Sequence, residues 1–305
     1  MKRRAIGRVG VLAGGLSNER EISLMSGRAV HASLIHEGID AVFLDVRDDL
    51  RGLLEKNKID AAFIALHGRF GEDGTVQSIL EEIKIPYTGS DPEASKTALN
   101  KVLTKDVFKR SGIPSPRHVI FEKDRFKIED CYVLGFPMVV KPHLEGSSIG
   151  LSVVKDKDEL PHAIGKAFEY GDLALIEEYV SGRELTVGML DDEPLPVIEI
   201  ITKDNIYDYK AKYTDPNTRY LVPAPLDEVT AKRAQALARK SHLALGCRCF
   251  SRIDIMMGSS SELFVLEANT IPGMTERSLL PKAARAIGLS FGDLCIKLIE
   301  NALTR

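Results

Sequence analysis

The sequence predicts a mixed α/β and α+β protein whose N-terminal part is a Rossmann-like layer with a parallel sheet. Three short apolar segments, at residues 9–13, 41–46 and 61–66, are separated by stretches that suit helices. Such βαβα alternation is typical of a parallel sheet covered by helices. Strand-like and helical segments continue to alternate afterwards without internal repeats. At about 150 residues per domain, the 305-residue chain is expected to form two or three domains.

Composition excludes several classes of protein. The 41 basic and 44 acidic residues leave a net charge of −3, and 44% of residues are hydrophobic, which argues against a disordered tail and against nucleic-acid binding through bulk positive charge. No apolar run approaches the roughly 18 residues that cross a bilayer. The basic start precedes too short an apolar run for a secretion signal, and four cysteines are too few for a disulfide framework. We therefore expect a cytoplasmic protein with buried thiols and no nucleic-acid or membrane partner.

The turn after the first predicted strand lacks the G-x-G-x-x-G spacing of a dinucleotide site. A nicotinamide-dependent oxidoreductase is therefore disfavoured. Ser17 or Asn18 is expected to cap the helix that follows. Glu21 would then lie in the first helical turn, where the helix dipole favours a carboxylate.

Turn residues cluster at 85–92, and we place the first domain boundary there. The predicted domains are residues 1–92, 93–183 and 184–305. Strands beyond the first domain are predicted at residues 137–141, 151–154, 174–177, 185–190, 195–201, 252–257 and 263–268. Helices are predicted at residues 93–110, 156–170, 227–245 and 291–302.

The segment 139–150 places Lys141 at the end of a buried-looking strand, before a loop of small residues. Backbone amides in such a loop can surround phosphate oxygens, although no Walker A motif occurs in the chain. The loop also matches G-x-S-x-G, the motif of serine hydrolases, at residues 146–150. That motif requires a turn from strand to helix, whereas this chain continues as a strand. A plain β-hairpin turn is the alternative.

Polar side chains interrupt two apolar strands near the C-terminus. Alternation places Arg252 and Asp254 on one face of the first strand, and Glu267 and Asn269 share a face of the second. If the two strands pair, their oxygen atoms converge in a way that suits Mg²⁺ bound together with phosphates. A surface salt-bridge cluster is the alternative, but an asparagine amide contributes little to an ion pair.

Two loops complete the candidate site. Residues 207–220 form a long polar loop with four tyrosines, which predicts a lid over a site. The turn at residues 272–275 contains Gly273, whose amide could donate to an anion. A bare turn is the alternative there.

Taken together, these motifs give the chain a resemblance that covers essentially its whole length. The carriers are residues 14–23, 65–69, 71–74, 86–90, 141–142, 145–148, 207–209, 211–213, 252–254 and 266–274. In these segments the sequence resembles the D-alanine:D-alanine ligases of the ATP-grasp superfamily. The resemblance implies an ATP-grasp fold and an enzyme that uses ATP to join two D-alanine molecules through an acyl phosphate, for peptidoglycan precursors.

The resemblance also implies roles for particular residues. It assigns the nucleotide phosphates to Lys101, Lys141 and Lys212, and the adenosine side to Glu177, Val180 and Glu184. It assigns Mg²⁺, with Mn²⁺ as an alternative ion, to Asp254, Glu267 and Asn269. Around the amino acids it assigns the first ammonium to Glu21 with Ser147 and Tyr213, the oxyanion to Arg252 and the Gly273 amide, and the second carboxylate to Ser278. A homodimer is also implied.

Other functions stay open at this stage. The second substrate could be D-serine, whereas Tyr213 disfavours D-lactate ester synthesis. A different ATP-grasp ligase or carboxylase is disfavoured by the residues assigned to the amino acids. A nucleotide-binding regulator would have no need of Arg252 as an oxyanion donor. A serine hydrolase acting through Ser148 is the remaining alternative.

Overall fold

The first sheet is parallel and confirms the predicted N-terminal layer. The computed structural model describes residues 6–47, 49–202 and 215–304. The sheet has the order β2-β1-β3, and β1 and β3 are buried along their whole length, as strands covered on both faces must be. Its strands are β1 (Val9–Gly14), β2 (Ala41–Val46) and β3 (Ala61–Ile64), and its helices are α1 (Arg20–His36), α2 (Leu50–Asn57) and α3 (Thr75–Glu82).

The expected cap of α1 is wrong in detail. The N-cap residue is Glu19, and it makes no side-chain capping hydrogen bond. The Ser17 hydroxyl instead donates to the His67 carbonyl at 2.6 Å and accepts from the Glu19 amide at 3.2 Å. Ser17 therefore ties this loop to the end of β3. Glu21 does lie in the first turn of α1, as expected.

The second sheet is antiparallel, with the order β4-β7-β5-β6. One face of it is apolar and packs against α6 and a 3₁₀ helix, through side chains such as Met138, Val140 and Ile176. The opposite face carries Lys141 and Glu177. The strands are β4 (His118–Glu122), β5 (Met138–Pro142), β6 (Ser152–Val154) and β7 (Leu173–Glu178), with α6 at Leu160–Phe168 and the 3₁₀ helix at Ile128–Leu134.

The third sheet is antiparallel as well, with the order β11-β10-β8-β12-β13 and β9 paired to β8. Ile253 and Ile255 point into an apolar core covered by α7, while Arg252 and Asp254 occupy the other face. The strands are β8 (Gly182–Leu190), β9 (Glu193–Pro194), β10 (Ile198–Ile201), β11 (Arg219–Leu221), β12 (Phe250–Gly258) and β13 (Leu263–Asn269). The helices that follow in the chain are α7 (Glu228–Ala244), α8 (Leu279–Ala286) and α9 (Phe291–Ala302).

The single helix predicted at residues 93–110 is two helices. These are α4 (Pro92–Leu99) and α5 (Lys101–Arg110). Asn100 separates them because its backbone is extended, and its side-chain oxygen accepts from the Val102 and Leu103 amides. An asparagine that caps α5 in this way favours a new helix start over continuation. The break places Lys101 in the first turn of α5.

The cores connect segments that are distant in the sequence. Ala98 and Phe108 of α4 and α5 join the core of the third sheet, and Leu294 and Leu298 of α9 join the core around β1 and β3. The division into residues 1–92, 93–183 and 184–305 therefore stays a prediction.

All four cysteines are free and buried, as expected. Across the described part of the chain, no helix combines the length and apolarity needed to span a membrane.

Replacing the cap of α5 should destabilise the protein. We expect Asn100→Ala to lower the free energy of unfolding by about 1 kcal/mol, because two amides of the first turn lose their acceptor. Asn100→Asp keeps a capping oxygen and should stay much closer to wild type. Urea unfolding of the three proteins measures this, and equal losses in both variants would contradict a capping role.

Candidate active site

Two adjoining cavities lie where the three sheets meet. The first cavity has a volume of about 240 Å³ and is lined by α1, by the loops after β3 and β5, and by β12 and β13. The second cavity, of about 130 Å³, lies between the polar faces of the second and third sheets. Lys101 and Glu267 line both cavities. A ligand that extends from one cavity into the other would therefore pass an ammonium and a carboxylate at the junction.

The acidic residue at the start of α1 that faces the first cavity is its N-cap residue Glu19, and not Glu21, to which the resemblance assigned the first ammonium. Glu19 is buried and lines the cavity. Glu21 is exposed and does not line it. The physical reason is the helical period: side chains two positions apart point to nearly opposite sides of a helix, so only one of the two can face the cavity. Because the start of α1 is buried beside the cavity, the residue that faces the cavity is Glu19.

Ser147 joins the loop after β5 to Glu19. Its hydroxyl donates a hydrogen bond to Glu19 Oε1. Ser147 and Ser148 both have positive φ angles, 48° and 59°, a left-handed conformation that non-glycine residues seldom adopt. The neighbouring Gly146 allows the approach, since a Cβ atom there would lie 2.7 Å from Glu19 Oε2. The loop geometry thus brings residues 128 positions apart into contact.

His67 and Glu72 form the floor of the first cavity beside Glu19. The Gly68 amide donates to Glu72 Oε2 at 2.7 Å, and the Ser26 hydroxyl lies 3.3 Å from His67 Nε2. Burial, reinforced by the nearby Glu19 carboxylate, raises the pKa of Glu72 to about 8. Burial also lowers the pKa of His67 below its ordinary value, against the opposing effect of Glu19. Near neutral pH this floor therefore holds a protonated carboxyl and an uncharged imidazole.

The polar residues of β12 and β13 converge as predicted. The two strands pair with Asp254 opposite Glu267 and with Arg252 opposite Asn269. The Arg252 guanidinium donates to both oxygens of Asp254, at 2.8 and 2.7 Å, a bidentate arrangement with two charge-assisted bonds.

Further contacts hold the ends of this cluster. The Thr186 hydroxyl donates to Asp254 Oδ1 at 2.6 Å, and Lys101 Nζ lies 3.8 Å from Glu267 Oε2. Asn269 Oδ1 accepts from the Ile271 amide. This cluster is ionic, but it lies inside the cleft rather than on the protein surface.

The donor chemistry of this cluster fits a divalent cation shared with a phosphate ligand. Asp254, Glu267 and Asn269 supply two carboxylates and one amide oxygen, and Asp254 and Glu267 line the second cavity. Mg²⁺ is usually held by one or two carboxylates together with substrate phosphates. Within the described ranges, no group of three or more His, Cys, Asp or Glu side chains is arranged to hold a metal by itself. Two carboxylates and one amide oxygen on neighbouring strands therefore fit an ion that is bound together with a phosphate ligand.

The loop after β13 and the start of α8 close the first cavity on another side. Ser278 is the N-cap residue of α8, and its hydroxyl accepts from the Thr275 amide at 3.1 Å. A Cβ atom on Gly273 would lie 3.1 Å from Ser278 Oγ, so the two residues are neighbours. Gly273, Ser278 and Leu279 all line the cavity. A helix N-terminus at this position favours an anion such as a carboxylate.

The second cavity brings together the other residues that the sequence singles out. Lys141, Glu177, Val180 and Glu184 all line it. Lys101 Nζ donates to the Glu145 carbonyl at 2.6 Å, which fixes the loop after β5 next to α5. Lys212 and Tyr213 lie outside the described residues, so their assignments stay predictions.

The serine hydrolase alternative does not fit this geometry. The loop that contains Ser148 leads into the strand β6 and not into a helix. β6 pairs antiparallel with β5, so the G-x-S-x-G match lies in a hairpin. A nucleophile elbow needs a strand followed by a helix.

Comparison with known proteins agrees with this geometry. A family model described as D-ala D-ala ligase C-terminus matches residues 107–300, and one described as D-ala D-ala ligase N-terminus matches residues 47–90. The D-alanine–D-alanine ligase of Syntrophotalea carbinolica is 46% identical over 299 residues, 98% of this chain and 97% of the relative. The chain belongs to the D-alanine–D-alanine ligase family.

Other relatives within the D-alanine–D-alanine ligase family cover the chain to the same extent. The ligase of Citrifermentans bemidjiense is 44% identical over 97% of this chain and 96% of its own length. A crystal structure of D-alanine–D-alanine ligase from Bacillus anthracis complexed with ATP is 34% identical, with a TM-score of 0.86 and 98% coverage of both chains. The predicted ATP-grasp fold with a Rossmann-like N-terminal layer is therefore confirmed.

Sequence reasoning passed over Glu19 and Glu72, which line the first cavity, and Lys105, which lies behind the second. Glu19 was passed over in favour of Glu21, although both belong to the motif at residues 14–23 that carries the resemblance to D-alanine–D-alanine ligases. The helical period would have separated them once the start of α1 was known. Lys105 was not considered, although it follows Lys101 by four positions and so shares its face of a helix. Its side chain is 1% exposed and pairs with Glu177.

The raised pKa of Glu72 predicts a specific pH dependence of stability. Its ordinary value is 4.5, so between that value and about 8 the folded protein retains a proton that the unfolded chain releases. The free energy of unfolding should therefore fall as pH rises through this window, by at most about 1.4 kcal/mol per pH unit from this group. Glu72→Gln lacks this contribution, and its stability relative to wild type should increase with pH.

Urea unfolding at about pH 5.5 and about pH 7.5 measures this difference. Glu93→Gln, which changes an exposed carboxylate on α4, is the matched control and should follow wild type. A constant difference between Glu72→Gln and wild type at both pH values would contradict the assignment.

Proposed function

We propose that this protein uses ATP to join two D-alanine molecules into D-alanyl-D-alanine for peptidoglycan precursors. The observation that carries the proposal is the nearly complete match, at 44 to 46% identity, to relatives named D-alanine–D-alanine ligase. The geometry supports it, because a cavity suited to small zwitterions adjoins one suited to a nucleotide. A carboxylate is a poor electrophile, so ATP converts the first carboxylate to an acyl phosphate, which the amine of the second D-alanine attacks with loss of phosphate.

The second cavity is the proposed ATP site. The Bacillus anthracis structure complexed with ATP supports this reading. Glu177, Val180 and Glu184 would bind the adenosine side. Lys101 and Lys141 would bind the phosphates, together with Lys212 from outside the described residues. These ammonium groups offset the negative charge that gathers when phosphates and a substrate carboxylate approach one another.

Asp254, Glu267 and Asn269 are the proposed ligands of Mg²⁺, with Mn²⁺ as an alternative. When bound, such an ion would supply charge neutralisation on the phosphate oxygens. The residues of the chain itself orient this end of the site. Thr186 holds the Asp254 carboxylate by its hydrogen bond, and Lys101 lies between the Glu145 carbonyl and Glu267.

The first cavity is the proposed site of the two amino acids. Glu19 would accept the ammonium of the first D-alanine, and the Ser147 hydroxyl would hold the Glu19 carboxylate in place by its hydrogen bond. Tyr213, which lies outside the described residues, would also hydrogen-bond with Glu19. Arg252 and the Gly273 amide would stabilise the oxyanion of the tetrahedral intermediate. Ser278 and the amides at the start of α8 would hold the carboxylate of the second D-alanine.

An assay of ADP release tests the proposed function directly. The protein is supplied with ATP and Mg²⁺, and D-alanine, L-alanine, D-serine and D-lactate are tested in parallel with identification of each product by mass. We expect D-alanine to give ADP and D-alanyl-D-alanine. Absence of D-alanine-dependent ADP release would contradict the proposal. A mixed D-alanyl-D-serine product would favour D-serine as the second substrate, an alternative that no observation in the structure supports.

The cellular setting is part of the same proposal. Four free, buried thiols accord with a reducing cytoplasm. A homodimer remains a prediction from the family resemblance. Light scattering after gel filtration would give the mass of the particle in solution.

Glu19 and Glu21 provide a matched pair of variants. Glu19→Gln should raise the KM for D-alanine about tenfold or more, because the ammonium loses a charged acceptor in a buried site. Glu21→Gln alters an exposed side chain and should leave the KM within about twofold of wild type. Steady-state kinetics at saturating ATP measures both. The reverse pattern would restore Glu21 as the ammonium acceptor.

Removal of Arg252 should affect turnover more than nucleotide binding. We expect Arg252→Ala to lower kcat by about 10² to 10³-fold, the range for loss of one oxyanion donor, with ATP binding nearly intact. Arg285→Ala, on the exposed side of α8, is the control. Turnover within about twofold of wild type would contradict the proposed role of Arg252.

A further inference from the structure

Lys105 is a fully buried cation that touches neither cavity. It follows Lys101 by one turn of α5, and its side chain is 1% exposed. Lys101 lines both cavities, whereas Lys105 lines neither. Burying an ammonium group without a partner costs several kcal/mol, so the fold retains this charge only because a counter-charge is present.

That counter-charge is Glu177, which is held between two lysines. Lys105 Nζ lies 2.5 Å from Glu177 Oε1, and Lys141 Nζ lies 2.5 Å from Glu177 Oε2. Glu177 is itself only 3% exposed. Among the described residues, Glu177 is the only ion-pair partner recorded for Lys105. Each lysine thus has its own carboxylate oxygen.

The triad of Lys105, Glu177 and Lys141 lies between the second sheet, α5 and β13. Glu177 lies on the polar face of the second sheet, opposite His118 of β4, with Lys141 on the neighbouring β5. α5 contributes Lys105, and Glu267 of β13 adds a more distant negative charge that acts on Lys105. His118 is half-buried, and burial together with Lys105 lowers its pKa, so it adds little positive charge near neutral pH.

The two lysines oppose the effect of burial on Glu177. Burial alone would raise the pKa of this carboxyl, but Lys105 and Lys141 together hold it at about 2. Burial lowers the pKa of Lys105, while Glu177 acts in the opposite direction. The triad carries one net positive charge with both lysines protonated, which is one cation more than Glu177 needs.

Lys141 and Lys105 differ in whether a bound ligand can reach them. Lys141 lines the second cavity and can reach a bound ligand, whereas Lys105 is enclosed behind the carboxylate. If the charge of Lys141 is taken up by phosphates, Glu177 needs another partner, because a buried carboxylate left without a cation is strongly disfavoured. Lys105 is the cation that remains.

We propose that Lys105 is a positioning residue for the nucleotide: it holds the Glu177 carboxylate in place as Lys141 turns to the phosphates, so that Glu177 stays an acceptor on the adenosine side. This inference rests on the proposed function, since it assumes that ATP binds in the second cavity. Lys105 acts only through Glu177 and touches no substrate.

The test is ATP affinity as a function of pH, measured by calorimetry without D-alanine. Lys105→Met should weaken ATP binding about tenfold or more near neutral pH. The loss should grow as pH falls from about 8 to about 6, because Glu177 keeps only one cation and protonates more easily. The KM for D-alanine should change far less. Lys109→Met is the matched control, since Lys109 lies one further turn along α5 and is exposed.

Two more proteins separate positioning from folding. Lys105→Gln keeps a donor to Glu177 without the charge, and it replaces Lys105→Met in the comparison if the methionine variant does not fold. In a Glu177→Gln background, Lys105→Met should add less than about twofold, because the group through which Lys105 acts has lost its charge. Melting temperatures are recorded for all variants.

Any result that differs from these expectations overturns the proposed positioning role of Lys105. Folded Lys105 variants that bind ATP like Lys109→Met at every pH would overturn it, as would an undiminished effect of Lys105→Met in the Glu177→Gln background. Failure of both Lys105 variants to fold, when Glu177→Gln folds, would assign Lys105 a purely structural role. If wild type itself bound no ATP, both the proposed function and this inference would fall. Wild-type binding with unchanged variants would overturn the inference alone.

Discussion

The structure around the two cavities depends on the pairing of buried charges. A charge left alone in a protein interior is strongly destabilising, and breaking a buried pair costs about 3 to 5 kcal/mol. Here Lys105 and Lys141 share Glu177, and Arg252 is matched to Asp254. The carboxylates of these pairs, Glu177 and Asp254, lie on the polar faces of the second and third sheets. The opposite faces of the same sheets are apolar and form the cores, so each strand contributes to stability on one side and to the site on the other.

The two ends of the first cavity differ in charge in a way that suits a zwitterion. Glu19 provides a carboxylate at one end, while Arg252 and the N-terminus of α8 favour negative groups elsewhere on the wall. Glu72 adds little further negative charge near neutral pH because its buried carboxyl stays protonated. Under the proposed function, these opposite charges would orient a small amino acid in the cavity.

Interruptions of regular structure place these charges. The extended backbone at Asn100 starts α5 afresh. Lys101 in its first turn lines both cavities, and Lys105 one turn later pairs with Glu177. Gly146 leaves room for Glu19, and the left-handed backbone of Ser147 brings its hydroxyl onto that carboxylate.

Much of the architecture follows from local patterns in the sequence. An apolar segment predicted β2 and an amphipathic pattern predicted α9, both with the bounds that the structure has. Strand alternation predicted that Asp254 and Glu267 would converge if their strands paired, and the strands do pair. Periodicity and capping are properties of neighbouring residues, so one sequence is enough to read them.

The tertiary structure decided which polar side chains face the cavities. It selected Glu19 over Glu21, divided the predicted helix at Asn100 and paired Lys105 with a glutamate on a strand 72 positions away. The reason is that an ionic side chain is retained in the interior only where an opposite charge meets it, and that meeting depends on how separate sheets and helices pack against one another.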